Sequence, residues 1–253
     1  MKVGVIENGL TTRALGRKLV ALFEVDSTNK HASRLFKEGK LQGGMVFIAT
    51  KQTEGRGRLE REWFSDGGLA MTIVLEMEKP VSELGGITLT AGVAATMALS
   101  ELTGKSFHVK YPNDIMYEGR KVGGILSELK MGAKPFVLIG IGINVEQTTF
   151  PKEIENIAVS LRQAGTDVTI EETATAIINK LELMIDLFNK GFSYVRPHWI
   201  EHNCTLGKMI TVSNPAGNIN GKAINLDDEG NLILETADGI VKTNAGDFTI
   251  LEN

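Results

Sequence analysis

The sequence predicts an α+β fold followed by a small C-terminal β-barrel, and three observations support this prediction. The 253 residues are enough for a domain of about 200 residues with a smaller one attached. Strands predicted between residues 107 and 145 follow one another through short turns, which favours an α+β sheet over a doubly wound one. The composition changes near Cys204, and residues 205–253 then hold seven Asn and six Gly. We therefore predict two domains, 1–204 and 205–253.

The elements of the larger domain follow from the spacing of apolar residues. A helix is predicted over Thr28–Phe36, where Asp26, Ser27 or Thr28 can cap it. A segment rich in Ala, Leu and Thr predicts a long buried helix over Leu84–Leu102. Apolar residues at helical spacing predict two more helices, Ile170–Phe188 and Val195–His202. Apolar runs predict five strands, Met45–Thr50, Ala70–Leu75, Phe107–Lys110, Val122–Leu129 and Phe136–Val145, with a turn at 131–134 joining the last two.

Turn residues divide the C-terminal segment into short strands, and Asp238-Gly239 is a strong hairpin signal. Five short strands in about 45 residues predict a small β-barrel. The predicted strands are Lys208–Val212, Asn220–Leu226, Leu232–Glu235, Ile240–Thr243 and Phe248–Leu251.

Composition and charge argue against several classes of protein. The formal net charge is −4 with a pI of about 5.7, so the chain has no basic footprint and we expect no nucleic-acid partner. A single cysteine, Cys204, excludes an internal disulfide framework and a thiolate metal cluster. The absence of a long apolar run predicts no membrane span and no secretion signal. A reducing, cytoplasmic compartment fits these features best.

A segment rich in glycine and arginine runs from Gln52 to Trp63. Its glycines let a backbone approach a ligand closely, and its arginines carry planar donors suited to phosphate or carboxylate. These residues are Gly55, Arg56, Gly57, Arg58 and Arg61. A solvated surface loop of mixed charge would have the same composition. The segment is not a dinucleotide fingerprint, because Glu60 occupies the place of the third glycine.

Three further segments combine turn residues with polar groups. In Lys110–Asp114, Pro112 stiffens a strand end and the following Asn and Asp favour a turn, and they can orient a ribose, a base or a metal. Lys121 precedes Gly123-Gly124, where a ligand can lie against the backbone; a hairpin with a charged tip explains these residues equally well. Gly140–Val145 is an apolar strand whose glycines either mark close packing or admit a ligand beside Asn144.

Other local patterns have simpler explanations. Ser27-Thr28-Asn29 is most simply a helix cap, although its hydroxyls can also serve a small polar ring. Gly104-Lys105-Ser106 resembles the end of a phosphate-binding loop, but Leu99 stands where that motif needs its first glycine. His198–His202 matches the H-x-x-E-H pattern of zinc peptidases, yet no third ligand is identified.

Together, the order and spacing of these motifs resemble those of the biotin–protein ligases. The segments that carry the resemblance are Asp26–Asn29, Gln52–Arg58, Trp63, Lys110–Asp114, Lys121–Gly124 and Gly140–Val145. The resemblance implies a mixed sheet flanked by helices, as in class II aminoacyl-tRNA synthetases, with an SH3-like C-terminal barrel. It also implies a reaction in which biotin attacks the α-phosphate of ATP. A lysine of a biotin carboxyl carrier domain then attacks the biotinyl-5′-AMP.

The resemblance assigns candidate roles to individual residues. Arg58 and Lys121 are the catalytic candidates, because cations must stabilise the charge that develops between a carboxylate and a phosphate. The biotin-binding candidates are Ser27, Thr28, Asn29, Gln52, Arg56, Gly57, Arg58, Lys121, Gly123 and Gly124. The candidates for binding ATP and the adenylate are Arg56, Arg58, Arg61, Trp63, Lys110, Asn113, Asp114, Lys121 and Asn144. ATP and biotin are the substrates, and Mg²⁺ is expected with the nucleotide rather than on protein ligands.

The chain departs from the family pattern at three places. Tyr111 stands where a Trp is usual, which keeps an aromatic face for adenine or ribose but alters its hydrogen bonding. About 20 residues precede the ligase pattern, so we expect a form without the N-terminal DNA-binding domain. The segment Gly246–Leu251 lacks an arginine found in some relatives.

The expected partners are a carrier domain of a biotin-dependent carboxylase and, in a homodimer, a second copy of the chain. Two alternatives remain at this point, a lipoate or octanoate ligase or transferase and a biotin-binding sensor without ATP turnover. Whether Lys121 or Asp114 assists proton transfer is also open.

Overall fold

The computed structural model of the chain describes residues 1–77, 84–214, 217–243 and 249–251. The helices in this part of the chain are α1 (Val3–Gly9), α2 (Thr28–Lys37), α3 (Leu84–Thr103), α4 (Ile170–Lys190) and α5 (Phe192–His202). The strands up to residue 143 are β1 (Lys18–Val25), β2 (Met45–Gln52), β3 (Leu69–Glu76), β4 (His108–Lys110), β5 (Asp114–Tyr117), β6 (Arg120–Lys130) and β7 (Phe136–Ile143).

These seven strands form one mixed sheet in the order β1-β2-β3-β7-β6-β5-β4. β1 and β2 are parallel, whereas the other neighbouring pairs are antiparallel. The β6–β7 hairpin forms across the turn predicted at residues 131–134. The predicted α+β class with a mixed sheet is therefore confirmed.

Helices cover both faces of this sheet. On β7, Val137 and Ile139 belong to the large core that includes residues of α3, α4 and α5. Leu138 points to the other face, where it joins a smaller apolar cluster with Ala32 of α2. Successive strand residues point to opposite faces, so burial on both sides explains the continuous apolar run of β7.

The C-terminal strands form a separate five-stranded antiparallel sheet, in agreement with the predicted small β domain. They are β8 (Met209–Asn214), β9 (Gly217–Leu226), β10 (Leu232–Thr236), β11 (Gly239–Thr243) and β12 (Thr249–Leu251). Their order is β11-β10-β9-β8-β12. The first residue of the predicted strand Phe248–Leu251, and residues 246–248 of the segment Gly246–Leu251 that lacks the arginine, lie outside the described residues.

Among the described residues, the α-helices and strands that the sequence does not predict are α1, β1 and β5, and a 3-10 turn at Arg58–Glu60 is not predicted either. α1 has no side-chain cap, and Ile6 is its buried residue. β1 lies at the sheet edge and is mostly exposed or half-buried, so it lacks the alternation that marks a half-buried strand. β5 begins at Asp114, within the segment interpreted as a turn.

A buried carboxylate on α4 holds the chain between α1 and β1. Glu182 accepts the backbone N–H groups of Arg13, Ala14 and Leu15, at 2.6, 2.8 and 2.9 Å. These hydrogen bonds lower the pKa of Glu182, although burial acts in the opposite direction and is the largest single influence. The N-terminal segment is therefore joined to the core by polar contacts far apart in sequence. In the described part of the chain, no helix is both long and apolar enough to cross a membrane.

Candidate active site

One row of paired residues crosses the α2 side of the sheet and changes from small to charged side chains. From β2 to β4, the strand register aligns Ala49, Ala70, Gly142, Gly124, Asp114 and Lys110. Its first four members form a shallow floor about 14 Å long, because neighbouring strands lie about 4.8 Å apart. We call these four residues the floor. A flat ring and its chain can lie against the backbone there, with charged groups beyond one end.

Buried polar side chains lie near the β2 end of the floor, where β2 ends and α2 begins. Gln52 Oε1 accepts the backbone N–H of Thr28 at 2.8 Å and its hydroxyl at 3.2 Å. The Gln52 amide nitrogen faces Gly55 and has no hydrogen bond within the described residues. The amide oxygen of Gln52 is therefore occupied by Thr28, and its amide nitrogen can donate a hydrogen bond to a ligand.

Asp26, rather than the Ser27 side chain, secures the start of α2. Ser27 occupies the N-cap position, but its hydroxyl makes no capping hydrogen bond, so the capping interpretation of this side chain is wrong. Asp26 accepts the Ser27 N–H at 2.8 Å and two guanidinium nitrogens of Arg34 at 2.6 and 3.0 Å. The hydrogen bonds from Arg34 lower the pKa of Asp26 to about 2. The Ser27 hydroxyl is not engaged in the cap and stays a predicted biotin contact.

The glycine- and arginine-rich segment folds back on itself beside the floor. The Gly57 N–H donates to the Arg61 carbonyl at 2.8 Å, and the Trp63 N–H donates to the Gly55 carbonyl at 2.9 Å. At the tip, Leu59 has a φ of 54°. This left-handed conformation costs a residue with a Cβ about 1 kcal/mol or more. The backbone of the loop is therefore held by its own hydrogen bonds around a strained tip.

The three arginines of this loop have different surroundings. Arg56 is exposed and forms an ion pair with Glu60, and Arg61 is also exposed. Arg58 is half-buried. This burial lowers the pKa of its guanidinium, although the nearby Asp114 carboxylate acts in the opposite direction. Arg58 is therefore the loop arginine that faces the charged end of the row.

Trp63 covers the middle of the floor. A Cβ at Gly142 would lie 2.5 to 2.7 Å from three atoms of the indole, so only glycine lets the ring approach the backbone this closely. The Lys121 ammonium lies 5.6 Å from the centre of the indole ring, within the range of a cation–π contact. Trp63 thus connects the floor with the charged groups beyond it.

Lys121 lies where the floor meets those charged groups. Its ammonium forms an ion pair with Asp114 at 2.5 Å. A Cβ at Gly124 would come within 3.3 Å of Lys121 Nζ, so the side chain passes directly over that glycine. The Lys121 backbone N–H donates to the Ile157 carbonyl at 2.7 Å, which fixes where its side chain begins. A cation is consequently held at the end of the floor.

Two of the predicted nucleotide contacts hold the backbone around Lys121. The Asn113 amide donates to the Ile125 carbonyl at 2.8 Å. The Asn144 amide donates to the Val159 carbonyl at 3.2 Å, and the residue is 4% exposed. Their hydrogen bonds explain why amides occur at these positions. A contact of either residue with the nucleotide stays a prediction.

The structure places Tyr111 inside the core rather than on the surface of the site. Its ring is 3% exposed and packs edge-on against Trp199. The phenol lies 3.4 Å from the carbonyls of Gly230, in the turn between β9 and β10, and of Thr243 on β11, and burial raises its pKa. The expected aromatic face for adenine or ribose is therefore not available at this position, because the ring packs between Trp199 of α5 and the C-terminal β strands.

The structure brings the candidate residues of the sequence analysis into three adjoining groups. Ser27, Thr28, Asn29 and Gln52 lie near the β2 end, Trp63 and Gly124 lie along the middle, and Arg58, Lys110, Asp114 and Lys121 lie at the charged end. Gly123 faces the opposite side of the sheet, where a Cβ would meet the core side chains of Ile143 and Ile115. The sequence analysis missed Ala49 and Ala70, because small residues in strands carry no local pattern and only the pairing of four strands aligns them. It also missed the buried Thr72, whose hydroxyl lies 2.8 Å from that of Thr28 and 2.6 Å from Asn29 Oδ1.

Comparison with known proteins places this geometry in a family. Residues 22–144 match the model of the "Biotin/lipoate A/B protein ligase family", and residues 205–251 match that of the "Biotin protein ligase C terminal domain". The bifunctional ligase/repressor BirA of Bacillus subtilis is 34% identical over 97% of this chain and 78% of its own length. The biotin–[acetyl-CoA-carboxylase] ligase of Mycobacterium tuberculosis is 30% identical over 93% of this chain and 90% of its own.

A solved structure agrees with these sequence matches. The biotin protein ligase of Aquifex aeolicus, in complex with biotin and ATP, superposes with a TM-score of 0.83 at 31% identity. The superposition covers 94% of this chain and 100% of that one. Because both domains match and the relatives align along nearly the whole length of the chain, the chain belongs to the biotin protein ligase family.

Proposed function

We propose that the chain activates biotin with ATP on the floor described above and then transfers it to a lysine of a carboxylase. In the first step, an oxygen of the biotin carboxylate attacks the α-phosphorus of ATP. A new O–P bond forms, the bond to the β-phosphate breaks, and pyrophosphate leaves. In the second step, the lysine amine attacks the acyl carbon of biotinyl-5′-AMP, so that an amide forms, AMP leaves and the amine loses a proton.

The observation that carries this proposal is the row from Ala49 to Lys110. Biotin has a bicyclic ureido ring at one end and a carboxylate at the other. A small-residue floor with buried polar groups near one end and cations at the other matches that distribution. The ring would lie toward Gln52 and Thr28, the apolar chain beneath Trp63, and the carboxylate toward Lys121.

The roles of the cations follow from charge. A carboxylate approaching a phosphate brings two anions together, so fixed positive groups stabilise the transition state more than the separated substrates. Lys121 lies at the end of the floor, and Arg58 approaches the same end from the loop. Catalysis would consist mainly of positioning and electrostatics, with no nucleophilic side chain of this protein.

The remaining residues would bind the nucleotide. Lys110 and Asp114 adjoin the floor on β4 and β5 and are the proposed contacts on the nucleotide side. Arg56 and Arg61 are exposed on the loop, where they can turn toward phosphates when ATP binds. Mg²⁺ would enter with the ATP phosphates rather than in a protein-built site.

The relatives support biotin and not the alternatives weighed from sequence. The description of the first family model names lipoate as well as biotin ligases, whereas the C-terminal model is described as that of biotin protein ligases. The Aquifex aeolicus structure contains biotin together with ATP. A lipoate or octanoate ligase, or a sensor without ATP turnover, is not favoured.

Exchange of labelled pyrophosphate into ATP tests the first step without knowledge of the acceptor. The chain is incubated with Mg-ATP and with biotin, lipoate, octanoate or no acid. We expect exchange with biotin alone. Exchange only with lipoate or octanoate would move the activity to the related ligases. Biotin binding without any exchange would contradict the roles given to Arg58 and Lys121.

We further propose that the edge strand β1 is where a second copy of the chain or the carrier domain docks. The support is its place at the sheet edge and Phe23, which is 86% exposed. An unpaired strand edge with an exposed aromatic side chain favours strand addition. Since both uses need the same edge, they would compete.

Phe23→Lys is therefore expected to weaken a homodimer at least about tenfold and to slow carrier labelling, with biotin-dependent pyrophosphate exchange unchanged. Sedimentation and carrier labelling measure the two effects. Met131→Lys, at a 63% exposed position in the β6–β7 turn, is the control. A dimer that labels the carrier at full rate would contradict the competition.

The domain boundary between residues 204 and 205 is supported by the start of the C-terminal family match at residue 205. The net charge of −4 supports the proposal that the chain has no nucleic-acid partner. The single cysteine supports a location in the reducing cytoplasm.

A further inference from the structure

A continuous set of hydrogen bonds runs from the surface of β6 to the proposed ring-binding end of the floor. Glu128 lies between Lys130 and Asn29. Its Oε2 accepts the Lys130 ammonium at 2.7 Å, and its Oε1 accepts the Asn29 amide nitrogen at 2.9 Å. The other end of the Asn29 amide accepts the hydroxyl of Thr72 at 2.6 Å. Thr72 in turn lies 2.8 Å from the Thr28 hydroxyl.

The protein itself uses both ends of the Asn29 amide. Its nitrogen also donates to the Leu126 carbonyl at 3.3 Å, and the residue is 5% exposed. A Cβ at Gly140 would lie 2.8 Å from Asn29 Oδ1, so the amide is pressed against bare backbone. Asn29 is therefore held away from the ligand, although the sequence motif makes it a candidate biotin contact.

The carboxylate of Glu128 and the carbonyl of Leu126 together determine which way round the Asn29 amide lies. In the flipped amide an oxygen would face both of these acceptors, so the two hydrogen bonds from the amide nitrogen would be lost, and the Thr72 hydroxyl would have to rotate to accept from the nitrogen. With the amide as it is, the Thr72 proton is directed to Asn29. The Thr72 oxygen can then accept from Thr28 only.

This arrangement of donors and acceptors also sets the hydrogen-bonding roles of Thr28 and Gln52, which face the proposed position of the ring. The single hydroxyl proton of Thr28 is then directed toward Thr72 at 2.8 Å rather than along the longer 3.2 Å contact with Gln52 Oε1, so a lone pair of the Thr28 oxygen is left to accept. Gln52 receives the Thr28 N–H on its oxygen, so its nitrogen is left to donate. One acceptor beside one donor complements an N–H and the C=O of a urea.

We propose that Glu128, acting through Asn29 and Thr72, is a positioning residue that sets the hydrogen-bond polarity of the biotin-ring pocket. This inference rests on the proposed function, because it concerns how the same site recognises the ureido ring. Glu128 itself touches neither substrate. Hydrogen-bond networks of this kind are strong only when every member is satisfied. Removal of the Glu128 carboxylate should therefore weaken the hydrogen bonds between the pocket and the biotin ring.

The test compares Glu128→Met, Glu128→Gln and Thr72→Val in pyrophosphate exchange. Met has a similar length but no acceptor, and we expect its KM for biotin to rise about 5- to 30-fold. We expect kcat and the KM for ATP to stay within about twofold, because the reacting atoms lie at the other end of the floor. Thr72→Val should behave likewise. Glu128→Gln keeps an acceptor oxygen and should stay within about threefold of wild type in every parameter.

The control is Glu76→Met, which removes a carboxylate paired with Lys134 at 2.8 Å in the same sheet but contacts none of these residues. We expect no change in its KM for biotin. An unchanged KM for biotin in both Glu128→Met and Thr72→Val would overturn the inference. A variant in which kcat and thermal stability fall while both KM values rise would also overturn it, since that pattern indicates a merely structural role. If wild type shows no biotin-dependent exchange, the proposed function fails instead.

Discussion

Replacement of Lys121 by Met is expected to lower kcat/KM for biotin-dependent pyrophosphate exchange by about 10²- to 10³-fold. The ammonium is the cation held at the end of the floor, 2.5 Å from Asp114 and 5.6 Å from the centre of the Trp63 ring. Removing a fixed group that stabilises developing charge commonly costs two to three powers of ten in rate. Met keeps the apolar stem over Gly124, so packing changes little.

The control for this variant is Lys105→Met. Lys105 also places its ammonium over an aromatic ring, 5.9 Å from the centre of Tyr117, and it lies outside the row. Exchange by Lys105→Met should match wild type within about twofold, and both variants should melt close to wild type. A Lys121→Met protein that retains more than a tenth of the wild-type rate would show that the cation is not needed for activation.

Replacement of Arg58 by Gly is expected to release biotinyl-5′-AMP about 10- to 100-fold faster than wild type. A hydrogen bond to a charged group is worth about 1.5–3 kcal/mol, and the loss of a partly desolvated charge contact acts mostly on dissociation. Escaped adenylate reacts with any amine, so labelling of bystander lysines should increase. Single-turnover release of labelled adenylate and labelling of a mixture of unrelated proteins measure the two effects.

Leu59→Gly separates the guanidinium from loop flexibility. It introduces a glycine one residue further along the same loop, at an exposed position whose φ of 54° suits glycine. Adenylate release by this variant should remain close to wild type because Arg58 is kept. Equal release by the two variants would mean that loop order, rather than the Arg58 charge, retains the adenylate.

Local sequence patterns predicted much of the fold correctly. The helix over Leu84–Leu102 is α3 (Leu84–Thr103) and the helix over Ile170–Phe188 is α4 (Ile170–Lys190). Both have strong apolar content over many turns, which a single sequence reveals. The missed edge strand β1 has no such pattern, because it is stabilised by its parallel pairing with β2.

The candidate site was predictable in its charged and glycine-rich members but not in its shape. Arg58 and Lys121 stand out because cations beside glycines suggest anion binding. Ala49 and Ala70 do not stand out, since small residues occur throughout sheets. They become the floor only when the register of β2, β3, β7 and β6 sets them in one line.

The sequence by itself determined the α+β class, the C-terminal β domain and the family resemblance, because these depend on composition, periodicity and the order of short motifs. Only the tertiary structure decided what individual side chains do. Tyr111 lies in the core, and the two ends of the Asn29 amide are hydrogen-bonded to Glu128 and Thr72. Hydrogen-bond partners come from strands far apart in sequence, and a polar residue's role depends on which of its groups those partners leave free.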